Sequence, residues 1–195
     1  MRLALIRHGP TEWNATHRLQ GQSDQRLSPA GLETVKGWRV PEEYCRFTWV
    51  ASPLTRAQET ARLLGLTCSS EPLIKEMHWG AWEGRTRDEL IAEYGDEFHA
   101  RTAKGLDLRP HDGESPREVR DRVAAWIARC ATGESDIGAV THQGIIRAAL
   151  SLATGWEMVG KPPVRMDWAA VHVFRVDRDG KVEIEAMNVS LVASP

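Results

Sequence analysis

The chain alternates between two patterns of hydrophobic and polar positions, one typical of buried strands and one typical of helices. Short apolar runs bounded by polar or turn-forming residues predict strands that lie inside a sheet. The predicted strands cover residues 2–6, 47–51, 136–140, 169–176 and 182–188. Asp179 and Gly180 form a strong turn signal between the last two strands, so these are expected to make a hairpin.

Serine–proline pairs at 28–29, 52–53 and 115–116 predict where three helices begin. Serine can cap free N–H groups, and proline suits the first helical position because no hydrogen bond is lost there. The first helix is expected to run to about Val40, and the second to end near Gly65.

The third of these helices has a capping-box signal, because Glu118 follows Ser115 by three residues. Its apolar residues recur at helical spacing, at Val119, Val123, Trp126, Ile127 and Cys130. A further helix is predicted over 144–154, with Gly155 suited to end it.

The order of these elements predicts an α/β fold in three layers, α/β/α, with a mixed but mostly parallel central sheet. Residues 73–112 fit the alternation least well, and we interpret them as a small helical insertion over one side of a site. The whole chain, residues 1–195, has a length that suits one domain. In open α/β sheets, ligands bind beyond the carboxyl ends of the strands, so candidate chemistry is expected there.

Charge and hydropathy argue against some classes of partner. The formal net charge is -2, so bulk charge favours neither nucleic acid nor an anionic membrane. No apolar run approaches the ~20 residues needed to cross a bilayer, and residues 1–6 run directly into polar residues, unlike a signal peptide. We therefore expect a cytoplasmic protein. Its last hairpin could leave an edge strand through which a homodimer forms.

Arg7, His8 and Gly9 directly follow the first predicted strand, where the backbone is fixed and side chains can face a crevice. A neutral histidine can attack phosphorus through one ring nitrogen if an acceptor holds the proton of the other. Arg7 could bind a phosphate through its planar fork of donors, and Gly9 allows close backbone approach. A purely structural histidine is the alternative interpretation.

Other polar residues near strand ends could complete a phosphate site. Asn14 and Gln20 supply amide donors, although hydrogen bonds within the loop would explain them as well. Arg56 lies in the first turn of a predicted helix, where a cation opposes the helix dipole unless an anion lies between them. His142 repeats the placement of His8 and precedes a helix N-terminus, so it could be a second phosphate donor.

Phosphoryl transfer also needs a proton donor near the ester oxygen. Glu76 lies close in sequence to Trp79 and Trp82, and such an apolar setting favours a protonated carboxyl group. Glu83 suits the same role by composition, so the residues alone leave these two candidates open.

Motifs of the commonest alternative enzyme classes are absent from the sequence. The histidines form no His-Glu-x-x-His pair, and the three cysteines match no zinc pattern. Neither a Walker phosphate loop nor a Gly-x-Ser-x-Gly elbow is present. We therefore expect no metal ion and no cofactor.

Taken together, the motifs resemble the histidine phosphatase superfamily, also called the phosphoglycerate mutase-like family, in order and over most of the chain. The matching segments are 5–9 with Thr11, Trp13 and Asn14, then 19–22, 27–31, 52–61, Glu76 with Gly80 and 82–84, 113–115 and 141–147. Two positions depart from the common pattern. Pro10 stands where an acidic residue is frequent, and Gln143 stands where a small residue is frequent.

The resemblance implies roles for the candidate residues. His8 would become phosphorylated, and Glu76 rather than Glu83 would act as general acid and later as base for water. The phosphoryl group would be held by a set of polar residues, namely Arg7, Asn14, Gln20, Arg56 and His142. Gln143 is counted with this set because its amide could add a polar contact. The family needs no metal, because its arginines and histidines neutralise the phosphate charge.

Three functions remain compatible with these residues. The first is a metal-independent hydrolase that acts on a small phosphorylated metabolite through a phosphohistidine. The second is a cofactor-dependent phosphoglycerate mutase, for which the segment 84–112 is short, although it contains several arginines. The third is a non-catalytic domain that binds phosphorylated ligands, and this would predict loss of a catalytic group that is in fact present.

Overall fold

A six-stranded mixed sheet forms the centre of the protein. The computed structural model describes residues 1–133 and 135–192. The strands are β1 (Arg2–Arg7), β2 (Thr48–Ala51), β3 (Cys68–Ser70), β4 (Ile137–Thr141), β5 (Ala170–Val176) and β6 (Val182–Ser190). They lie in the order β3-β2-β4-β1-β5-β6. The pairs among β1 to β4 are parallel, whereas β5 runs antiparallel to both β1 and β6. The predicted mixed, mostly parallel α/β sheet is therefore confirmed.

Helices cover both faces of this sheet, so β1 is buried on both sides. The α-helices are α1 (Glu12–Ala15), α2 (Pro29–Lys36), α3 (Thr55–Leu63), α4 (Arg87–Tyr94), α5 (Asp96–Thr102), α6 (Pro116–Ala131) and α7 (Gln143–Thr154). Leu3 and Leu5 share a hydrophobic core with α6 and α7. Ala4 and Ile6, which point to the opposite face, share a second core with α2 and α3. Among the described residues, no helix is long and apolar enough to cross a membrane.

Tertiary contacts changed two predicted helix ends. The helix expected to reach Val40 ends at Lys36, because Arg39 donates its backbone N–H to the carbonyl of Leu191 at 2.7 Å. The next helix begins at Thr55 rather than at the serine–proline pair, and no side chain caps it. Ser52 does not cap it, because its Oγ accepts from the backbone N–H of Leu54, which precedes the helix, and not from a helical N–H. The short strand β3 was missed because it is largely exposed and lacks an apolar run.

Helical structure does occupy the segment expected to be an insertion. It contains α4, α5 and three short 3-10 turns, at Pro72–Ile74, Gly80–Trp82 and Gly105–Asp107. Its aromatic residues pack inward, with the rings of Trp82 and Phe98 centred 5.1 Å apart. This packing places Met77 and Trp79, at the start of the insertion, on the wall of a cleft at the carboxyl end of the sheet.

Candidate active site

The strand order brings together residues that are far apart in the sequence. In the sheet β4 lies between β1 and β2, so the carboxyl ends of all three strands meet at one edge. His8 follows β1, His142 follows β4 and Ser52 follows β2. His8 donates its backbone N–H to the carbonyl of Thr141 at 2.9 Å. The rings of His8 and His142 are consequently centred 5.2 Å apart.

A cleft of about 300 Å³ opens at this edge of the sheet. Seven of the eight predicted site residues line it, namely Arg7, His8, Asn14, Gln20, Arg56, Glu76 and Gln143. The eighth, His142, is fully buried and is not among the lining residues. The remaining walls include Leu19, Met77, Trp79, Val119 and Met158, so an apolar surface faces the polar groups.

The contacts of His8 favour a neutral ring. Its Nδ1 lies 2.7 Å from the carbonyl oxygen of Gly9. A carbonyl can only accept, so Nδ1 carries the proton and Nε2 keeps its lone pair. Burial, reinforced by the charges of Arg7 and Arg56, holds the pKa of His8 well below its usual value. Gly9 is required for this packing, since a Cβ there would lie 2.3 Å from Cγ2 of Val35.

Arg7 and Arg56 place two positive charges beside His8, and Arg7 is half-buried. Arg56 is fully buried and donates to the carbonyls of Gly21 at 2.7 Å and Ser23 at 3.1 Å. Burial lowers the pKa of Arg7 to about 10 and also lowers that of Arg56. The Nε atoms of both side chains are buried and have no hydrogen-bond partner in the described part of the chain. Unpartnered guanidinium donors in a cleft favour binding of an anion.

The two predicted amides are placed to extend this donor set. Asn14 accepts from the backbone N–H and the hydroxyl of Thr11 through Oδ1, at 3.0 and 3.1 Å, which leaves its NH₂ group for the cleft. Gln20 is buried, and its Oε1 has no partner among the described residues. Neutral amides can bind phosphate oxygens without adding charge.

The structure separates the two candidate acids. Glu76 lines the cleft, and its carboxylate accepts the backbone N–H groups of Met77 at 2.8 Å and Gly144 at 3.2 Å. Glu83 does not line the cleft. It instead accepts from four protein donors, the backbone N–H groups of Gln22, Ser23 and Trp79 and the hydroxyl of Ser23. Glu83 is therefore placed to hold the loop, and Glu76 is the carboxylate that lines the cleft.

His142 lies directly behind His8. Its Nε2 is 2.7 Å from Oγ of Ser52, and its buried Nδ1 has no partner among the described residues. Burial, followed by the charges of Arg56, His8 and Arg7, holds the pKa of His142 well below its usual value. Like His8, it is a neutral ring, so one of its two nitrogens carries a proton and the other carries a lone pair.

Arg147 is a cleft residue that the sequence reasoning did not single out, although it lies within a matched motif. When the side-chain amide of Gln143 is oriented with its oxygen toward Arg147, this oxygen accepts from Nη1 and Nη2 of Arg147 at 3.2 and 2.9 Å. Burial lowers the pKa of Arg147, and its Nε has no partner in the described residues. The i, i+4 spacing from Gln143 on one helix face could have identified it.

Outside this cleft, a smaller cavity of about 200 Å³ lies on the other side of Arg7 and His8. Pro10, Trp38 and Trp168 contribute to its walls, and the Arg7 guanidinium lies 5.1 Å from the ring of Trp168. No group of three or more metal-ligating side chains is found in residues 1–133 and 135–192.

The chain is similar to proteins named as a phosphatase and as a probable phosphoglycerate mutase. The chain is 35% identical to the glucosyl-3-phosphoglycerate phosphatase of Mycolicibacterium vanbaalenii over 82% of this chain and 79% of that protein. It is 36% identical to a probable phosphoglycerate mutase GpmB of an Enterobacter species, over 67% of this chain and 63% of that protein.

Among solved structures, a mycobacterial glucosyl-3-phosphoglycerate phosphatase in complex with VO3 superposes with a TM-score of 0.78. That similarity covers 97% of this chain and 99% of the other, at 26% identity. The profile of the histidine phosphatase superfamily, branch 1, matches residues 3–190. With that match and the relatives above, the chain belongs to the histidine phosphatase superfamily.

Proposed function

We propose that this protein hydrolyses phosphomonoesters of small metabolites through a phosphohistidine on His8, without a metal ion. The observation that carries the proposal is the 2.7 Å contact between Nδ1 of His8 and the Gly9 carbonyl oxygen, which fixes a neutral His8 ring with its proton on Nδ1. Nε2 makes no hydrogen bond with the described residues, and His8 lines the cleft together with Arg7 and the fully buried Arg56. A cleft of about 300 Å³ is of the size that binds small molecules.

In the first step Nε2 of His8 attacks phosphorus, and the bond from phosphorus to the ester oxygen breaks. Glu76 donates its proton to that oxygen as the alcohol leaves. In the second step the Glu76 carboxylate takes a proton from water, whose oxygen attacks the phosphohistidine and releases inorganic phosphate. Arg7, Arg56 and the amides neutralise the charge on the phosphoryl oxygens in both steps.

The test is phosphate release from p-nitrophenyl phosphate in the presence of EDTA. We expect the wild type to turn over and His8→Ala to lose turnover while it keeps its thermal unfolding midpoint. His111→Ala is the matched control, because His111 is an exposed histidine outside the cleft, and it is expected to behave as wild type. Loss of wild-type activity in EDTA that zinc or magnesium restores would contradict the metal-independent mechanism.

A phosphoglycerate mutase is the second candidate, because Arg18 and Arg147 add positive charge to the cleft and one set of relatives carries that name. Both reactions begin with the same phosphohistidine and differ in whether water or a second hydroxyl receives the phosphoryl group. Interconversion of 2- and 3-phosphoglycerate with 2,3-bisphosphoglycerate present would favour the mutase. A domain that only binds ligands would bind vanadate and turn over neither substrate.

A further inference from the structure

Ser52 is locked in place beside His142 at the end of β2. Its side chain is fully buried, and its backbone N–H donates to the Val140 carbonyl at 3.0 Å. Its carbonyl accepts from Nε2 of Gln58 at 2.7 Å. Its Oγ lies 3.3 Å from the backbone nitrogen of Leu54, which donates to it, and 2.7 Å from Nε2 of His142. The Ser52 hydroxyl is therefore fixed relative to the His142 ring.

Counting protons decides the direction of the Ser52–His142 hydrogen bond. If Nε2 carried the ring proton, it would donate to Oγ, and the buried serine proton would have no acceptor among its contacts. The buried Nδ1 would then be a bare lone pair beside Arg56 and His8. If instead the hydroxyl donates to Nε2, the serine proton and the Nε2 lone pair are both satisfied. In that arrangement Nδ1 carries the ring proton.

The two neighbouring histidines then offer opposite groups to a ligand. Both rings carry a proton on Nδ1. In His8 the Nδ1–H donates a hydrogen bond to the Gly9 carbonyl, and the Nε2 lone pair has no partner among the described residues. In His142 the Nε2 lone pair accepts a hydrogen bond from the Ser52 hydroxyl, and the Nδ1–H has no partner among the described residues. One ring can attack phosphorus, and the other can donate a hydrogen bond to a phosphoryl oxygen.

We propose that Ser52 is a positioning residue that holds His142 in the Nδ1–H tautomer, so that His142 presents a donor rather than a lone pair to the phosphoryl group. The kinetic part of this inference rests on the proposed phosphatase function. The tautomer part concerns the protein alone and is testable without any substrate. In the Nε2–H tautomer, His142 would direct the Nδ1 lone pair at the negatively charged phosphoryl group, and this repulsion would weaken binding of the transition state.

The first measurement is the ¹⁵N NMR spectrum of the histidine side chains, which distinguishes protonated from bare ring nitrogens. We expect His142 to show a protonated Nδ1 in the wild type and a mixture of tautomers, or the Nε2–H form, in Ser52→Ala. Ser52→Thr retains the hydroxyl and is expected to restore the wild-type tautomer. A wild-type Nε2–H form, or the same tautomer in the wild type and Ser52→Ala, would overturn the proposal.

The second measurement is turnover of p-nitrophenyl phosphate by the same variants and by His142→Ala. We expect kcat of Ser52→Ala to fall by about tenfold or more, with a smaller change in KM. The double variant Ser52→Ala/His142→Ala should be no slower than His142→Ala alone, because Ser52 acts through that ring. Additive losses would show that Ser52 acts independently of His142 and would overturn the proposal.

Ser28→Ala is the matched control for stability. Ser28 is also a buried serine, but its Oγ accepts from the backbone of Gly31 at the start of α2 and it does not line the cleft. We expect it to lower the thermal midpoint without changing the His142 spectrum or kcat. If the wild type hydrolyses no phosphomonoester, the proposed function fails, while the tautomer measurement still decides the role of Ser52.

Discussion

The Glu76 carboxylate lies directly against the backbone of Gly144 at the start of α7. The Gly144 N–H donates to both carboxylate oxygens at 3.2 Å, and a Cβ on Gly144 would lie 2.2 Å from Oε1. Only glycine leaves room for the proposed acid in this position. The helix N-terminus therefore holds the carboxylate in the cleft through close approach as well as through its dipole.

Gly144→Ala is expected to displace Glu76 and to lower kcat for an alkyl phosphate by about 100-fold while the fold is kept. Alanine favours a helix over glycine, so the thermal midpoint should not fall. Steady-state kinetics and thermal unfolding of the same preparation check both parts. Gly37→Ala is the control, because its nearest contact is the Thr34 carbonyl oxygen at 3.4 Å. Unchanged kcat in Gly144→Ala would show that the position of Glu76 does not limit turnover.

Glu76→Gln should slow hydrolysis in proportion to the basicity of the leaving group, because the acid protonates the departing oxygen. We expect a small loss with p-nitrophenyl phosphate, whose leaving group needs little protonation, and a loss of at least about 100-fold with an alkyl phosphate. The ratio of kcat/KM for the two substrates is the readout. Equal slowing of both would exclude Glu76 as the acid.

Glu83→Gln is expected to act through stability instead. Its carboxylate accepts from three backbone N–H groups and one hydroxyl, and charge-assisted bonds of this kind contribute about 1–3 kcal/mol. Urea unfolding should show a lower free energy of unfolding. The ratio of kcat/KM between the two substrates should stay at the wild-type value, and a changed ratio would reopen Glu83 as the acid.

Arg56→Ala is expected to weaken transition-state binding by about 2 kcal/mol or more, since it removes a fully buried charged donor from the cleft. The measurement is kcat/KM for p-nitrophenyl phosphate, together with the affinity for vanadate. Arg26→Ala is the control, because Arg26 is an exposed arginine that pairs with Glu59 outside the cleft. Similar kinetics in both variants would remove Arg56 from the proposed phosphate site.

The free energy of unfolding should decrease as the pH falls below about 6.5. His8 and His142 both have a lowered pKa in the folded protein, so below their ordinary pKa the unfolded chain binds more protons than the folded one. The slope should approach ~1.4 kcal/mol per pH unit for each histidine that stays neutral. Urea unfolding over this range measures it. His142→Asn should flatten the slope, and an unchanged slope would contradict the buried neutral state.

Much of the fold follows from forces that act within a few residues of the chain. Ser115 and Glu118 form the predicted capping box of α6, because the spacing of these two side chains is enough to satisfy the free N–H groups. The apolar run at the N-terminus forms β1. A parallel strand that is buried on both faces is expected to have such a continuous run of hydrophobic residues. His8 and His142 could be placed at strand ends for the same reason.

Other features depended on contacts between distant segments. Composition left Glu76 and Glu83 equivalent, and the choice of Glu76 rested on the family resemblance. The physical difference between them is tertiary, because Glu83 accepts from the backbone of the 21–23 loop. Ser52 has the local pattern of a helix cap, but its Oγ accepts from Leu54 before the helix and contacts Nε2 of His142 across the sheet. The sequence reasoning did not select Arg147, and the structure places it in the cleft beside Gln143.

The sequence by itself determined the class of fold, the strand-end placement of His8 and His142, and the set of groups available for phosphate chemistry. These follow from hydrophobic period and capping chemistry, which are short-range. The tertiary structure decided which carboxylate enters the cleft and which ring nitrogen carries each proton. Those outcomes depend on the strand order, because β4 lies between β1 and β2 and only that order brings Ser52, His142 and His8 into contact.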